Sequence, residues 1–324
     1  MHSKPQPEAK ASVFPQARRG RLSAWVQRVP MWVRRVGVPV VLALSTAGCA
    51  GTVHGFLAPA GLVATDQRSL LIEVTLITLI VVVPVLVLTP WLVWRFRRRA
   101  DNSAEYDPRW EFSWTMEILA WGVPILIVIA LSWLLWVRTH QLDPYRPIAS
   151  STKPLQVDVV GLDWKWLFIY PAQHTASVNE LVIPTDRPVH LTLTSDTVMQ
   201  SLLIPKLAGQ IYAMPGMRTQ LYLEANHAGQ FRGENTQYNG RGFQQQKFST
   251  IAMPAAAFTR WQQQARSSGK RLDCAAYAAL AKPSLNVQPT AYRDVDPQLF
   301  RWILTKYHGG PAPSCHTFTR ENDR

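Results

Sequence analysis

The hydrophobic pattern divides the chain into regimes of different period. Ser69–Trp94 (SLLIEVTLITLIVVVPVLVLTPWLVW) and Ile118–Val137 (ILAWGVPILIVIALSWLLWV) are almost uninterrupted apolar runs. Each is long enough as a helix to cross a hydrocarbon layer of about 30 Å. Pro84 and Pro90 would kink a soluble helix, but a membrane span tolerates them because neighbouring groups re-satisfy the freed carbonyls. From Leu155 the pattern shortens to runs of strand length: Leu155–Leu162, Trp164–Tyr170, Glu180–Ile183, Val189–Thr194, Thr219–Ala225 and Lys247–Met253. Pro, Gly, Asn and Asp separate them, which predicts a β-sandwich. After Ala255 the period turns helical, in AAAFTRWQQQARSSG, CAAYAALAKPS and a segment around Pro297–Tyr307.

Charge fixes the direction of the two spans. Residues 1–48 carry eight Lys and Arg against Glu8, which is +7 of the total +13. This polar leader precedes Val36–Thr46, an apolar run of signal-peptide length that ends in Thr46-Ala47-Gly48-Cys49. Small residues before a cysteine suit a lipoprotein signal peptidase, so Cys49 is the expected lipidated first residue, although Thr46 stands where a large aliphatic residue is usual. With about half the net positive charge in a targeting segment, nucleic acid is not an expected partner. The loop after the first span begins Arg95-Phe96-Arg97-Arg98-Arg99, and positive charge beside a span marks the cytoplasmic side. Trp91, Trp94, Trp110, Trp114 and Trp136 cluster at the span ends, as an interfacial belt does. The expected organisation is a leader (1–48), an outer N-terminal segment (49–68), a helix hairpin (69–138, spans 69–96 and 117–138), a linker (139–154), a β-domain (155–254), a helical extension (255–307) and a tail (308–324). The C-terminal domain is then periplasmic and the chain sits in a bacterial inner membrane.

Several motifs follow one another in a fixed order: the hairpin, Asp163-Trp164-Lys165-Trp166, Ser195–Pro205 (SDTVMQSLLIP), Gln210–Met217 (QIYAMPGM), and an AF…W helix with a later Lys282-Pro283-Ser284. Together, over roughly residues 65–307, they resemble subunit II of bacterial cytochrome bo-type ubiquinol oxidases, a copper-less relative of cytochrome c oxidase subunit II. The resemblance implies a membrane-anchored chain with an antiparallel two-helix hairpin, an all-β cupredoxin-like Greek-key sandwich and a short C-terminal helical extension. In copper-bearing relatives a His in the first stretch and a Cys-x-Glu-x-Cys-x3-His-x2-Met stretch hold a dinuclear copper. Those positions here are Gln200, Asn235, Gln237, Asn239, Phe243 and Gln246. An electron-transfer copper pair needs thiolates, imidazoles and a thioether, and amides offer only hard oxygens. The resemblance therefore implies a quinol-oxidising complex without a copper relay. This chain would bind no cofactor, while haems and copper reside in a partner subunit I. The other expected partners are smaller subunits, ubiquinol as substrate of the complex, and the lipid bilayer.

The candidate residues follow from this frame. Glu117, at the cytoplasmic start of the second span, is the proton-entry candidate, since a carboxylate at membrane depth is costly and tends to be functional. Its plain alternative is an interfacial side chain in headgroup water, like Glu111. Glu73 is read as interfacial at the outer end. Trp164 and Trp166 are interface candidates, expected to pack the outer domain on the large subunit. Gln244, Gln245 and Gln246 with Asn235, Gln237 and Asn239 are expected to form a hydrogen-bonded plug. Met214 and Met217 are expected core fillers. His54, His140, His174, His190, His227, His308 and His316 lack ligand spacing, so no metal is assigned. Cys274 and Cys315 could pair or remain thiols, and spacing does not decide between these. Two other readings use the same residues: a cytochrome c oxidase subunit II, against which the missing ligands stand, and a free-standing membrane lipoprotein for binding or assembly.

Overall fold

A computed structural model describes residues 55–97, 111–267 and 270–308. The leader, Cys49 and the tail from residue 309 lie outside the described residues. Helix α1 (Leu62–Arg95) runs unbroken through Pro84 and Pro90. Helix α2 (Trp114–Gln141) contains a π-turn at Ile118–Gly122. Both are longer than the apolar runs alone, because polar ends extend the helical ladder past the apolar stretch. Large side chains such as Leu86, Val93, Leu126 and Ile129 are exposed along them. Helices apolar on every face bury themselves in lipid or against other helices.

The β-domain is a two-layer sandwich. One sheet has the order β11-β3-β2-β1-β5-β8 and the other β4-β10-β9-β6-β7. The strands are β1 (Leu155–Leu162), β2 (Lys165–Tyr170), β3 (Thr175–Val178), β4 (Glu180–Pro184), β5 (Val189–Ser195), β6 (Gln200–Ile204), β7 (Ala208–Ala213), β8 (Thr219–Leu223), β9 (Gly229–Asn235), β10 (Lys247–Met253) and β11 (Thr290–Tyr292). The β1–β5 and β4–β10 pairs are parallel and the rest antiparallel. Alternation along β1 and β2 fills two cores. Val157, Val159, Trp166, Phe168 and Tyr170 face the space between the sheets. Val160, Leu162, Leu167 and Ile169 face outward, under the C-terminal extension.

That extension consists of α3 (Ala255–Arg266), α4 (Cys274–Ala281) and α5 (Leu299–Thr305). Tyr277, Leu299, Phe300, Ile303 and Leu304 cover the outer face of the first sheet. Cys274 is disulfide-bonded, which removes the free-thiol alternative at that position. Met217 is exposed rather than a core filler, because it follows the turn at Gly216 and points away from both sheets.

Candidate functional site

The ends of β1, β2, β6, β9 and β10 meet at one end of the sandwich. Gln246 is the hub there. Its carbonyl oxygen accepts from Asn235 Nδ2 (2.9 Å) and Asn239 Nδ2 (2.7 Å). Its Nε2 donates to Gln200 Oε1 (2.5 Å) and, more weakly, to the carbonyls of Leu162 (3.3 Å) and Lys165 (3.4 Å). Gln200 Nε2 donates to Leu162 O (3.2 Å) and Thr197 Oγ1 (3.1 Å). Asn235 Oδ1 accepts from the backbone N–H of Ser201 (2.9 Å) and Gln237 (3.0 Å). Gln200, Gln246 and Asn235 are at most 5 % exposed, so these bonds are made away from water, where an unmade one costs most. Gly161 makes room, since a Cβ there would lie 2.7 Å from Gln200 Oε1.

Of the six positions singled out in the sequence, four side chains therefore converge. Gln237 contributes its backbone N–H, and Phe243 turns to Tyr238, with ring centroids 5.7 Å apart. Gln244 and Gln245 are exposed and do not belong to the plug, because the 3₁₀ turn Phe243–Gln245 points them outward. The donor set at the centre is four carboxamides and backbone carbonyls. It lacks any thiolate, imidazole or thioether and does not fit an electron-transfer copper pair.

Trp164 caps this end. It occupies the tight turn between β1 and β2 with φ 64°, a left-handed conformation costly for a bulky residue. Its indole N–H donates to Asn239 O (3.2 Å). The ring lies on Gly242, where a Cβ would come within 2.2 Å of it. Trp166, two residues on, is a correction to the sequence reading. It is fully buried between the sheets against Phe248 (6.0 Å) and offers no surface to another subunit. Alternation along β2 sends Trp166 into the core while Trp164 stays in the turn.

Two polar anchors were not foreseen from the sequence. Asp196, 5 % exposed, accepts from Tyr277 Oη (2.7 Å), Lys306 Nζ (2.8 Å) and Tyr307 Oη (2.9 Å). Burial, with Asp196 beside it, raises the Tyr277 phenol well above its ordinary value and raises Tyr307 as well. Both therefore stay protonated donors. Lys165, fully buried in β2, donates to Lys282 O (2.7 Å) and Ser284 Oγ (2.7 Å), and burial lowers its pKa. The Asp163-Trp164-Lys165-Trp166 and Lys282-Pro283-Ser284 motifs thus meet through one ammonium. Their only advance signal was their joint presence.

In the hairpin, Glu73 is ion-paired to Arg138 (2.6 Å), linking α1 to α2 near the β-domain. Glu117 lies 21 residues before Arg138 along α2, roughly 30 Å at a helical rise, at the far end of the hairpin. It accepts from Trp121 Nε1 (3.0 Å).

Comparison with known proteins places this architecture. The family described as "Cytochrome C oxidase subunit II, periplasmic domain" matches residues 172–245, and "COX Aromatic Rich Motif" matches residues 266–310. The chain is 45 % identical over 276 residues to the cytochrome bo(3) ubiquinol oxidase subunit 2 of Pseudomonas aeruginosa, covering 85 % of this chain and 82 % of that protein. It is 44 % identical over 271 residues to the ubiquinol oxidase subunit 2 of Acetobacter aceti, covering 83 % and 86 % respectively. Among solved structures, the periplasmic domain of cytochrome oxidase subunit II of Bradyrhizobium japonicum aligns with 36 % of this chain and 98 % of its own. The TM-score of that alignment is 0.34 and the identity 21 %.

Proposed function

This chain belongs to the ubiquinol oxidase subunit 2 family, and from that premise we propose that its complex takes electrons from ubiquinol in the lipid phase, with no copper relay in the outer domain. At the coarser level it is subunit II of a terminal oxidase, a membrane-anchored member of an oxidoreductase complex that includes other subunits. In the finer reading the haems and copper belong to the partner subunit I, which reduces oxygen to water, and this chain binds no cofactor. The hairpin anchors the complex in the bacterial inner membrane, with the Arg95–Arg99 loop in the cytoplasm and the β-domain in the periplasm. Lipidation of Cys49 falls outside the described residues and is part of the same proposal. Glu117, at the end of the hairpin away from the β-domain, feeds protons toward subunit I. Trp164, partly exposed over the amide centre, meets the large subunit.

The observation that carries the reading is the amide network of Gln200, Asn235, Asn239 and Gln246. Its members hydrogen-bond one another where a metal relay would need soft ligands, and only Asn239 Oδ1 among their amide groups is left without a partner. The test is turnover of the complex purified through this chain. Oxygen consumption with ubiquinol, and none with reduced cytochrome c, is expected. Rapid oxidation of cytochrome c together with inertness toward ubiquinol would overturn the proposal.

A further inference from the structure

We propose that Trp121 is a positioning residue for Glu117: its indole N–H fixes the carboxylate on the face of α2 selected by the π-turn. The inference rests on the proton-entry reading of Glu117 and adds the group that aims it. Pro124 has no N–H to offer the Ala120 carbonyl four residues back. Immediately before it the helix widens over Ile118–Gly122, and Val123 N–H closes on Leu119 O. One extra residue in a turn rotates everything N-terminal to it by roughly 100° relative to an uninterrupted helix. Trp114–Glu117 therefore presents a different face from the one the pattern downstream of Pro124 would give it.

Across this widened turn Trp121 Nε1 reaches Glu117 Oε2 at 3.0 Å. The bond spans one helical turn on the outer face of α2, where both side chains are exposed on this chain. Trp121 is 68 % exposed on this chain, so its ring is not part of the hairpin's own packing. A tryptophan serving only as interfacial belt needs its ring at the right depth. A positioning tryptophan needs its N–H. Trp121→Phe separates the two, because it keeps an aromatic ring and deletes the donor.

The experiment uses the intact oxidase complex in proteoliposomes, with ubiquinol turnover and proton uptake as readouts and the haem optical spectrum as the measure of assembly. We expect Glu117→Gln to lower turnover about tenfold. Trp121→Phe should lower kcat about three- to fivefold with the KM for quinol unchanged. The double variant should be no slower than Glu117→Gln alone, and Trp121→His, which restores an N–H donor, should recover part of the loss. Wild-type turnover in Trp121→Phe beside a slow Glu117→Gln overturns the inference and leaves the proton-entry reading standing. Wild-type turnover in Glu117→Gln overturns both. Multiplicative losses in the double variant, or loss of assembly in Trp121→Phe, also overturn the inference, since Trp121 would then act independently of the carboxylate.

Discussion

Replacing the hub of the amide network tests whether that network, rather than simple space filling, holds the end of the sandwich together. In Gln246→Leu the apolar volume is nearly kept but every polar contact of the side chain is lost. Leu162 O still has Gln200 Nε2, and Lys165 O loses only a long contact of 3.4 Å. Three groups do not recover a partner: Asn235 Nδ2, Asn239 Nδ2 and Gln200 Oε1. Each buried orphan costs about 1–1.5 kcal/mol after partial relaxation. Better burial of leucine returns about 1 kcal/mol, so the variant should be destabilised by about 2–3.5 kcal/mol. In a domain of this size that is a fall of about 5–10 °C in Tm.

The sign of the change is what discriminates. If the site were only a hole to be filled, leucine would be neutral or stabilising. The assay is guanidinium unfolding of the intact detergent-solubilised chain followed by tryptophan emission, Trp166 being a buried reporter beside the site. Adding Gln200→Leu to Gln246→Leu removes one of the orphans, so the double variant should be about 1 kcal/mol more stable than the sum of the single losses requires. An unfolding midpoint for Gln246→Leu at or above wild type would refute the reasoning.

Other predictions follow from the anchors. Burial lifts the Asp158 carboxyl to about 6, with Arg218 pulling the other way. The folded state then binds more protons than the unfolded one between about pH 4 and 6. The stabilisation is full below that window and is lost as pH rises through about 6. Asp158→Asn should therefore gain about 1–2 kcal/mol at pH 7.5 and nothing near pH 4, measured by unfolding at both pH values. A variant equally stable to wild type at both would contradict the assignment. Lys306→Met removes an ammonium, itself 35 % exposed, from the buried Asp196 carboxylate. Discounted for that exposure, the cost should be about 1–2 kcal/mol, read as faster proteolysis of the C-terminal extension. Copper or a chelator at 100 μM should leave the unfolding midpoint unchanged, whereas a site filled to a hundred times its Kd would add about 2.7 kcal/mol.

Much of the fold was legible because its period is unambiguous. The two spans, β1, β10 and the three helices of the extension stand where the pattern puts them. Of the strands that escaped, β3, β6, β7, β9 and β11, all but β6 carry a local physical reason. Thr175–Val178 and Thr290–Tyr292 are short, while Ala208–Ala213 and Gly229–Asn235 are rich in Gly and polar residues. Each forms because a neighbour offers its edge, a tertiary effect that local propensity does not register. Trp166 was misassigned for a related reason. Alternation shows that Trp164 and Trp166 share a parity, but not that the tight turn takes Trp164 out of the strand. Asp196, Lys165, Tyr277 and Lys306 look like ordinary loop, strand and helix residues in sequence. Only the folding of the extension onto the first sheet brings them together.

The two anchors and the amide centre form one construction. Asp196 opens the loop that leads to Gln200, and Lys165 follows the turn that carries Trp164. The C-terminal extension grips both, through Tyr277, Lys306 and Tyr307 on one side and Lys282 and Ser284 on the other. A domain that relied on metal coordination to tie these strand ends would loosen when the ligands were lost. Here the ties are hydrogen bonds from amides, two phenols and two ammonium groups, all supplied by the chain's own side chains. Under the proposed function, the stiffness of this end comes from these bonds, and they hold the surface around Trp164 in place. On that proposal the outer domain's duty is structural. That is the physical condition under which a quinol-oxidising complex can retain such a domain.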